Sequence, residues 1–202
     1  MRLFMTLTSP YARIARIALL EAGLDSSVAK VELTRDRLYS PESDVLSVNP
    51  GGRVPTLELD DGAVLTESKL ILDFIHAQRP NAGLIVRDGS DGWRMMADLG
   101  QAHGLLDSIV TLFRFTLLPE AQRSAPGVAY ETARTNRALD GLEIAAGIPG
   151  RFNAAHIVLG CALSLLSVRM PAWDWRSARP RLAAWFDAIS ERPSFKATMP
   201  PG

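Results

Sequence analysis

Strand and hairpin signals up to Arg79, helical periodicity from Asp91 onward, and a breaker-dense stretch between them predict a chain in two parts. The first is a mixed α/β half in the order βαβ followed by ββα; the second is all helix. Pro80-Asn81-Ala82-Gly83 and Asp88-Gly89-Ser90-Asp91-Gly92 concentrate the breakers, which divides the chain into 1–80, a linker at 81–90 and a helical domain at 91–202.

Arg2-Leu3-Phe4-Met5 reads as a first strand that gives way to polar residues at Thr6. Ser9-Pro10 then marks a helix start, because serine caps open N–H groups and proline enters the first turn with φ already set. Ile14, Ile17 and Ala18 share one face of this helix, Arg13 and Arg16 another, and Gly23 supplies a left-handed stop. Val28–Leu33 reads as the second strand. After the turn Asn49-Pro50-Gly51-Gly52, the runs from Val54 to Leu59 and from Ala63 to Leu65 flank Asp60-Asp61-Gly62 as a hairpin. A helix follows on Leu70, Ile71, Phe74 and Ile75 and stops at Arg79-Pro80. In the second half the pattern gives helices over Trp93–Leu118, Val128–Ala145, Ala154–Val168 and Arg181–Ser190.

Composition narrows the functions open to such a chain. The 202 residues carry 22 basic and 22 acidic groups, with only Lys30, Lys69 and Lys196 as lysines, and no basic stripe of the kind that tracks a phosphate backbone. A nucleic-acid partner is not expected. The longest uncharged stretch, Phe152 to Val168, is too short and too often interrupted to span a bilayer and reads as a buried core helix. Neither a membrane partner nor a secretory leader is expected at the N-terminus MRLFMTLTSP, and a cytoplasmic location is the default. The single Cys161, amid apolar helix neighbours, reads as a small core thiol. His76, His103 and His156 lack metal-ligand spacing, so no metal is expected.

Three features carry chemistry. Pro55 opens an otherwise good strand although it cannot donate to a ladder, so it belongs either at a sheet edge or in a special turn with a cis Val54-Pro55 bond. In the second case the Val54 N–H and C=O stay free to pair with an extended peptide. Ser9 and the Glu67-Ser68 pair each stand at a helix N-terminus, where open N–H groups and positive partial charge favour anions.

In order and spacing, Ser9-Pro10-Tyr11-Ala12-Arg13, Asn49-Pro50-Gly51-Gly52-Arg53-Val54-Pro55-Thr56-Leu57 and Thr66-Glu67-Ser68 resemble the thioredoxin-like domain of cytosolic glutathione S-transferases. Arg181-Leu182-Ala183-Ala184-Trp185-Phe186 and Arg192-Pro193-Ser194-Phe195 resemble that family's last helix and its exit. The resemblance implies a thioredoxin-like glutathione domain followed by a helical domain, glutathione as co-substrate, a small electrophile as second substrate, and a homodimer with a role in detoxification. By matched position it implies that Val54 and Pro55, the family's cis-proline, pair with the cysteinyl part of glutathione. Ser68 and Glu67 would hold the γ-glutamyl end, and Arg53 would lie near the glycyl carboxylate, with Arg35 or Arg37 as substitutes.

Ser9 stands where this family has serine in some classes and cysteine in others. A thiol of pKa about 8.5 is mostly protonated at neutral pH, and a hydroxyl donor at a helix N-terminus favours its thiolate. The expected activity is therefore serine-type glutathione transfer: conjugation, dehalogenation or peroxide reduction. Thr8 is the alternative donor if the turn differs by one residue, and a non-catalytic ligand carrier or adaptor is the rival function. The few residues after Pro193-Ser194 suggest no further lid helix and an open electrophile pocket. One departure concerns Asn153-Ala154-Ala155-His156, where the family has a Ser/Thr-x-x-Asp box. Asn153 still caps, but a protonated His156 would oppose the helix dipole, so a neutral imidazole is expected at pH 7.

Overall fold

The computed structural model describes residues 1–201, and the chain divides into two compact units, Met1–Ile85 joined by the residues from Pro193 on, and Val86–Arg192. The first unit is a thioredoxin-like domain built on a four-stranded sheet of order β2-β1-β3-β4, from β1 (Arg2–Met5), β2 (Ala29–Glu32), β3 (Thr56–Glu58) and β4 (Val64–Thr66). β1 runs parallel to β2 and antiparallel to β3, and β3 is antiparallel to β4. A parallel pair needs a crossover, which α1 (Pro10–Glu21) provides. Gly23 lies just beyond α1 at φ 65°, the left-handed conformation expected of it, and Gly62 closes the β3–β4 hairpin at φ 85°. A short α2 (Arg35–Leu38) follows β2, and α3 (Ser68–Gln78) follows β4.

α1 and α3 pack together, burying Ile14, Ile17 and Ala18 of the first and Ile71, Leu72 and Ile75 of the second. Elsewhere in this unit Phe4, Leu33 and Val45 form a smaller cluster, against which Val31, Leu38, Val48 and Val54 lie. Arg13 departs from its sequence reading as a polar-face residue: it is buried, in contact with α8 (Pro193–Ala197).

The second unit is helical: α4 (Gly89–Thr116), α5 (Ala125–Ala145), α6 (Ala154–Arg169) and α7 (Pro180–Ser190). Every residue of α6 from Ala154 to Leu166 is buried, Cys161 included, which is how a helix apolar on all sides behaves at the centre of a domain. Arg179 of the α6–α7 connection bonds Asp140 and Asn136 of α5 at 2.9 and 3.0 Å. The Glu143 carboxylate accepts the backbone N–H groups of Arg181 and Leu182, capping α7 from a neighbouring helix.

Two boundaries differ from the sequence reading. α4 begins at Gly89, inside the stretch assigned to the linker, because Gly92 lets the helix start close to preceding backbone: a Cβ there would lie 2.7 Å from the Arg87 carbonyl. The residues from Pro193 belong with the first unit, not with the helical one, since Ser194, Phe195 and Thr198 are buried against α1 partners. Among the described residues no helix is long and apolar enough to cross a membrane.

Candidate functional site

Sheet register gathers the candidate residues. Phe4 is level with Thr56, and Thr56 with Thr66. Continuing past that level, β1 leads into Thr6–Ser9, β3 leads backward through Pro55 to Val54, and β4 leads into Glu67-Ser68. Ser9, Val54-Pro55 and Glu67-Ser68 thus leave the sheet at one end, and α1 and α3 present their N-termini at that same end. Neither helix has an acidic residue in its first turn, and the α1 end is capped by the uncharged Ser9, whereas α3 has the acidic Glu67 at its N-cap without a capping hydrogen bond.

The β1–α1 turn holds Ser9 from both sides. Its N–H donates to the buried Thr6 hydroxyl at 3.1 Å, and its Oγ accepts the Ala12 N–H at 3.2 Å as the helix cap. Capping uses a lone pair and leaves the hydroxyl proton available. Thr8 is exposed, and its hydroxyl lies 3.5 Å from that of Thr6.

The Val54-Pro55 bond is cis, the second of the two alternatives the sequence left open. Pro55 is buried, and the Val54 side chain packs against the Phe4, Leu33 and Val45 cluster. Among the described residues neither the N–H nor the C=O of Val54 has a hydrogen-bond partner. An anchored side chain and an open amide make this a segment to which an extended peptide can add. The preceding loop is braced by Asn49, which sequence reasoning treated only as a turn residue. Its Oδ1 accepts the Gly51 N–H at 2.9 Å, and its Nδ2 donates to the Thr56 hydroxyl at 2.9 Å. An Asn whose oxygen meets the N–H two residues on is an Asx turn, the signal that would have marked it.

Glu67 adopts φ 65° and ψ 122°, a conformation that non-glycine residues avoid, and its side chain does not cap α3. Ser68 is buried at the first helical position, while Glu67 is exposed, its carboxylate 3.8 Å from the Arg53 guanidinium. Arg53 is 80% exposed, and a pair of this kind holds it weakly. Arg37 is engaged elsewhere, forking onto Asp44 with two contacts of 3.3 Å; Arg35 is exposed and forms no ion pair among the described residues. Among those residues no group of three or more His, Cys, Asp or Glu side chains is placed to hold a metal.

In the helical unit Asn153 caps α6 through the Ala155 N–H at 2.9 Å, and the same Oδ1 lies 3.1 Å from His156 Nδ1. Burial lowers the His156 pKa to about 4, assisted by nearby Arg192 and opposed by a hydrogen bond to the Ile148 backbone, so the imidazole is neutral at pH 7.

Comparison with known proteins gives the same frame. Residues 8–78 match the family model "Glutathione S-transferase, N-terminal domain", and residues 132–188 match "Glutathione S-transferase, C-terminal domain". A glutathione transferase family member from Pseudomonas fluorescens Pf-5, crystallised with bound glutathione, is 34% identical with a TM-score of 0.89, covering 100% of this chain and 99% of its own. A glutathione S-transferase from Methylobacillus flagellatus KT, also with glutathione bound, is 29% identical with a TM-score of 0.90 over 99% of both chains. The GST-like protein YibF of Escherichia coli K12, itself uncharacterised, is 29% identical over 205 residues, 100% of this chain and 99% of that one. Likeness that runs through both units, at 34% identity along a relative's whole length, establishes that this chain belongs to the glutathione S-transferase family.

Proposed function

We propose that the protein is a serine-type glutathione transferase in which Ser9 donates its hydroxyl proton to the sulfur of bound glutathione and so favours the thiolate for attack on a small electrophile. The observation that carries this reading is the state of Ser9: its oxygen is fixed by the Ala12 N–H, its proton is uncommitted, and it leaves the sheet at the same end as the open amide of Val54. Glutathione lies along Val54 as an added strand, with its cysteinyl amide and carbonyl pairing to that backbone. Its γ-glutamyl end enters the N-terminus of α3, where Ser68 and the open N–H groups receive the carboxylate and Glu67 faces the ammonium. Arg53, weakly held by Glu67, is released to the glycyl carboxylate, with Arg35 as the second cation within reach in sequence.

The reaction class follows from the residue type. A serine oxygen cannot form a mixed disulfide, so the chemistry rests on the ligand's own sulfur: conjugation, displacement of halide or reduction of a peroxide. A cytosolic homodimer belongs to the same proposal. Trp93, 78% exposed, and Met96 stand one turn apart on α4 and offer apolar surface for a twofold contact.

Two measurements test the reading in sequence. Glutathione at a hundredfold excess over Kd stabilises the native state by about 2.7 kcal/mol, so a thermal shift at millimolar glutathione is expected. Ser9→Ala is then expected to lower kcat/KM for an aryl halide about 10- to 100-fold, since each unit by which the bound thiol pKa rises is tenfold in thiolate. Unchanged turnover in that variant reduces Ser9 to a helix cap. Glutathione binding without turnover by the wild-type protein, on halides, peroxides and epoxides alike, leaves a ligand carrier.

A further inference from the structure

Arg13 lies one helical turn after Ser9, and its backbone N–H closes the first turn of α1 on the Ser9 carbonyl at 3.0 Å. Its side chain is 3% exposed. A buried guanidinium is costly unless its donors are met, and here they are met by residues far along the chain. Nε donates to the Thr198 hydroxyl at 3.2 Å, Nη2 donates to the Phe195 carbonyl at 3.1 Å, and the Phe195 ring lies 5.4 Å from the guanidinium carbon. Thr198 passes its own proton to the Ser194 carbonyl at 2.8 Å. At the other end of α1, the Ser194 hydroxyl bonds the Glu21 carboxylate. The two grips are eight residues apart on the helix, about 12 Å at 1.5 Å per residue, so α1 cannot slide or turn about its axis without breaking one of them.

We infer that the segment from Pro193 onward is a working part of the glutathione-binding unit, and that Arg13 is the positioning residue through which this segment fixes the first turn of α1 and thereby the oxygen of Ser9. The inference rests on the Ser9 reading above. A displacement of about 1 Å is enough to degrade a reacting geometry, and the Ser9 oxygen is held within the turn that Arg13 closes. The segment acts on activation of the thiol and leaves recognition of the electrophile alone.

The test compares Thr198→Val, which removes the hydroxyl that Arg13 Nε meets, with Thr198→Ser, which keeps it. The readouts are the pH profile of glutathione conjugation to 1-chloro-2,4-dinitrobenzene, the KM for that halide, and Tm. Thr198→Val is expected to raise the apparent pKa of the bound thiol by about half a unit, which is about threefold in thiolate below that pKa, with the halide KM unchanged and Thr198→Ser restoring the wild-type profile. A lower Tm with an unmoved pH profile overturns the inference, leaving the tail a structural clasp. Ser9→Ala, run alongside, separates the two ideas. If it shifts the profile while Thr198→Val does not, only the role of the tail fails; if neither shifts it, the Ser9 reading fails and takes this one with it. Should Thr198→Val be too unstable to assay, Arg13→Lys, which keeps the charge and loses the fork, is read in the same way.

Discussion

Asn49 Nδ2 donates to the Thr56 hydroxyl at 2.9 Å, and Thr56 donates in turn to the Arg53 carbonyl at 2.7 Å, so two side chains seven residues apart brace the residue before Val54. Both are buried, and the Asn49 oxygen also meets the Gly51 N–H. Replacing Asn49 with alanine leaves buried polar groups without partners, at a cost of about 1–3 kcal/mol. Asn49→Ala is expected to lower the urea midpoint accordingly and to weaken glutathione binding in calorimetry. A stability loss with unchanged affinity would show that the loop keeps its shape without this brace.

Glu67 combines a strained backbone with an exposed carboxylate. A non-glycine residue in such a region costs on the order of 1–3 kcal/mol. Glu67→Gly is expected to stabilise the free protein by about 1 kcal/mol while raising the Kd for glutathione. Opposite movements of Tm and affinity are the predicted signature, and parallel movements would refute it.

His156 links stability to pH. Its folded pKa of about 4 lies below the ordinary 6.5, so between those values the unfolded chain binds the extra proton and stability rises with pH. The contribution is complete above about pH 6.5 and is lost as pH falls toward 4, amounting to about 3 kcal/mol at 1.36 kcal/mol per unit. Urea titrations at pH 7 and pH 4.5 are expected to differ by less in His156→Gln than in the wild-type protein. An NMR titration placing the ring above pH 6 would contradict the assignment.

The end of α5 offers a matched pair of opposite sign. Ala146 is left-handed at φ 58°, a cap position that glycine takes without strain, so Ala146→Gly is expected to stabilise by about 0.5–1 kcal/mol. Gly147, next to it, has φ 85°, and a Cβ would sit 2.3 Å from the Trp185 ring, whose Nε1 bonds the Ile148 carbonyl. Gly147→Ala is expected to destabilise by about 2–4 kcal/mol. Thermal unfolding of the two variants gives both signs in one experiment.

Features with local causes were readable from sequence. Ser9-Pro10 as a helix start, Gly23 as its stop and Asp60-Asp61-Gly62 as a hairpin turn each depend on residues within a few positions. The neutral imidazole of His156 is expected from its place in a helix's first turn, but its main cause in the structure is burial, which the sequence argument does not use. The burial of Arg13 was not readable, because the groups that receive its guanidinium lie 182 and 185 residues away. Gly89–Gly92 escapes sequence reading for a different reason: these glycines form the first turn of α4, and the close approach of the Arg87 backbone that calls for glycine there is local geometry that a cluster of helix breakers does not reveal. The Val54-Pro55 bond stays open between two alternatives in the sequence, because pattern alone does not distinguish an edge proline from a cis one. That Ser9, Val54 and Glu67 share a sheet end is a property of register, which follows only once the strands are paired.

The bond from Arg13 to Thr198 also sets an order of events during synthesis. Arg13 leaves the ribosome early, but the hydroxyl that meets its guanidinium is 185 residues behind, about 10–40 s at 5–20 residues per second. For that interval α1 carries a charged group with no tail to receive it, and the unit that bears Ser9 cannot be completed until after the helical unit has been made. The α/β unit is therefore translated first and completed last, and a stalled or truncated chain would release a helical unit capable of being whole and an α/β unit that lacks its tail.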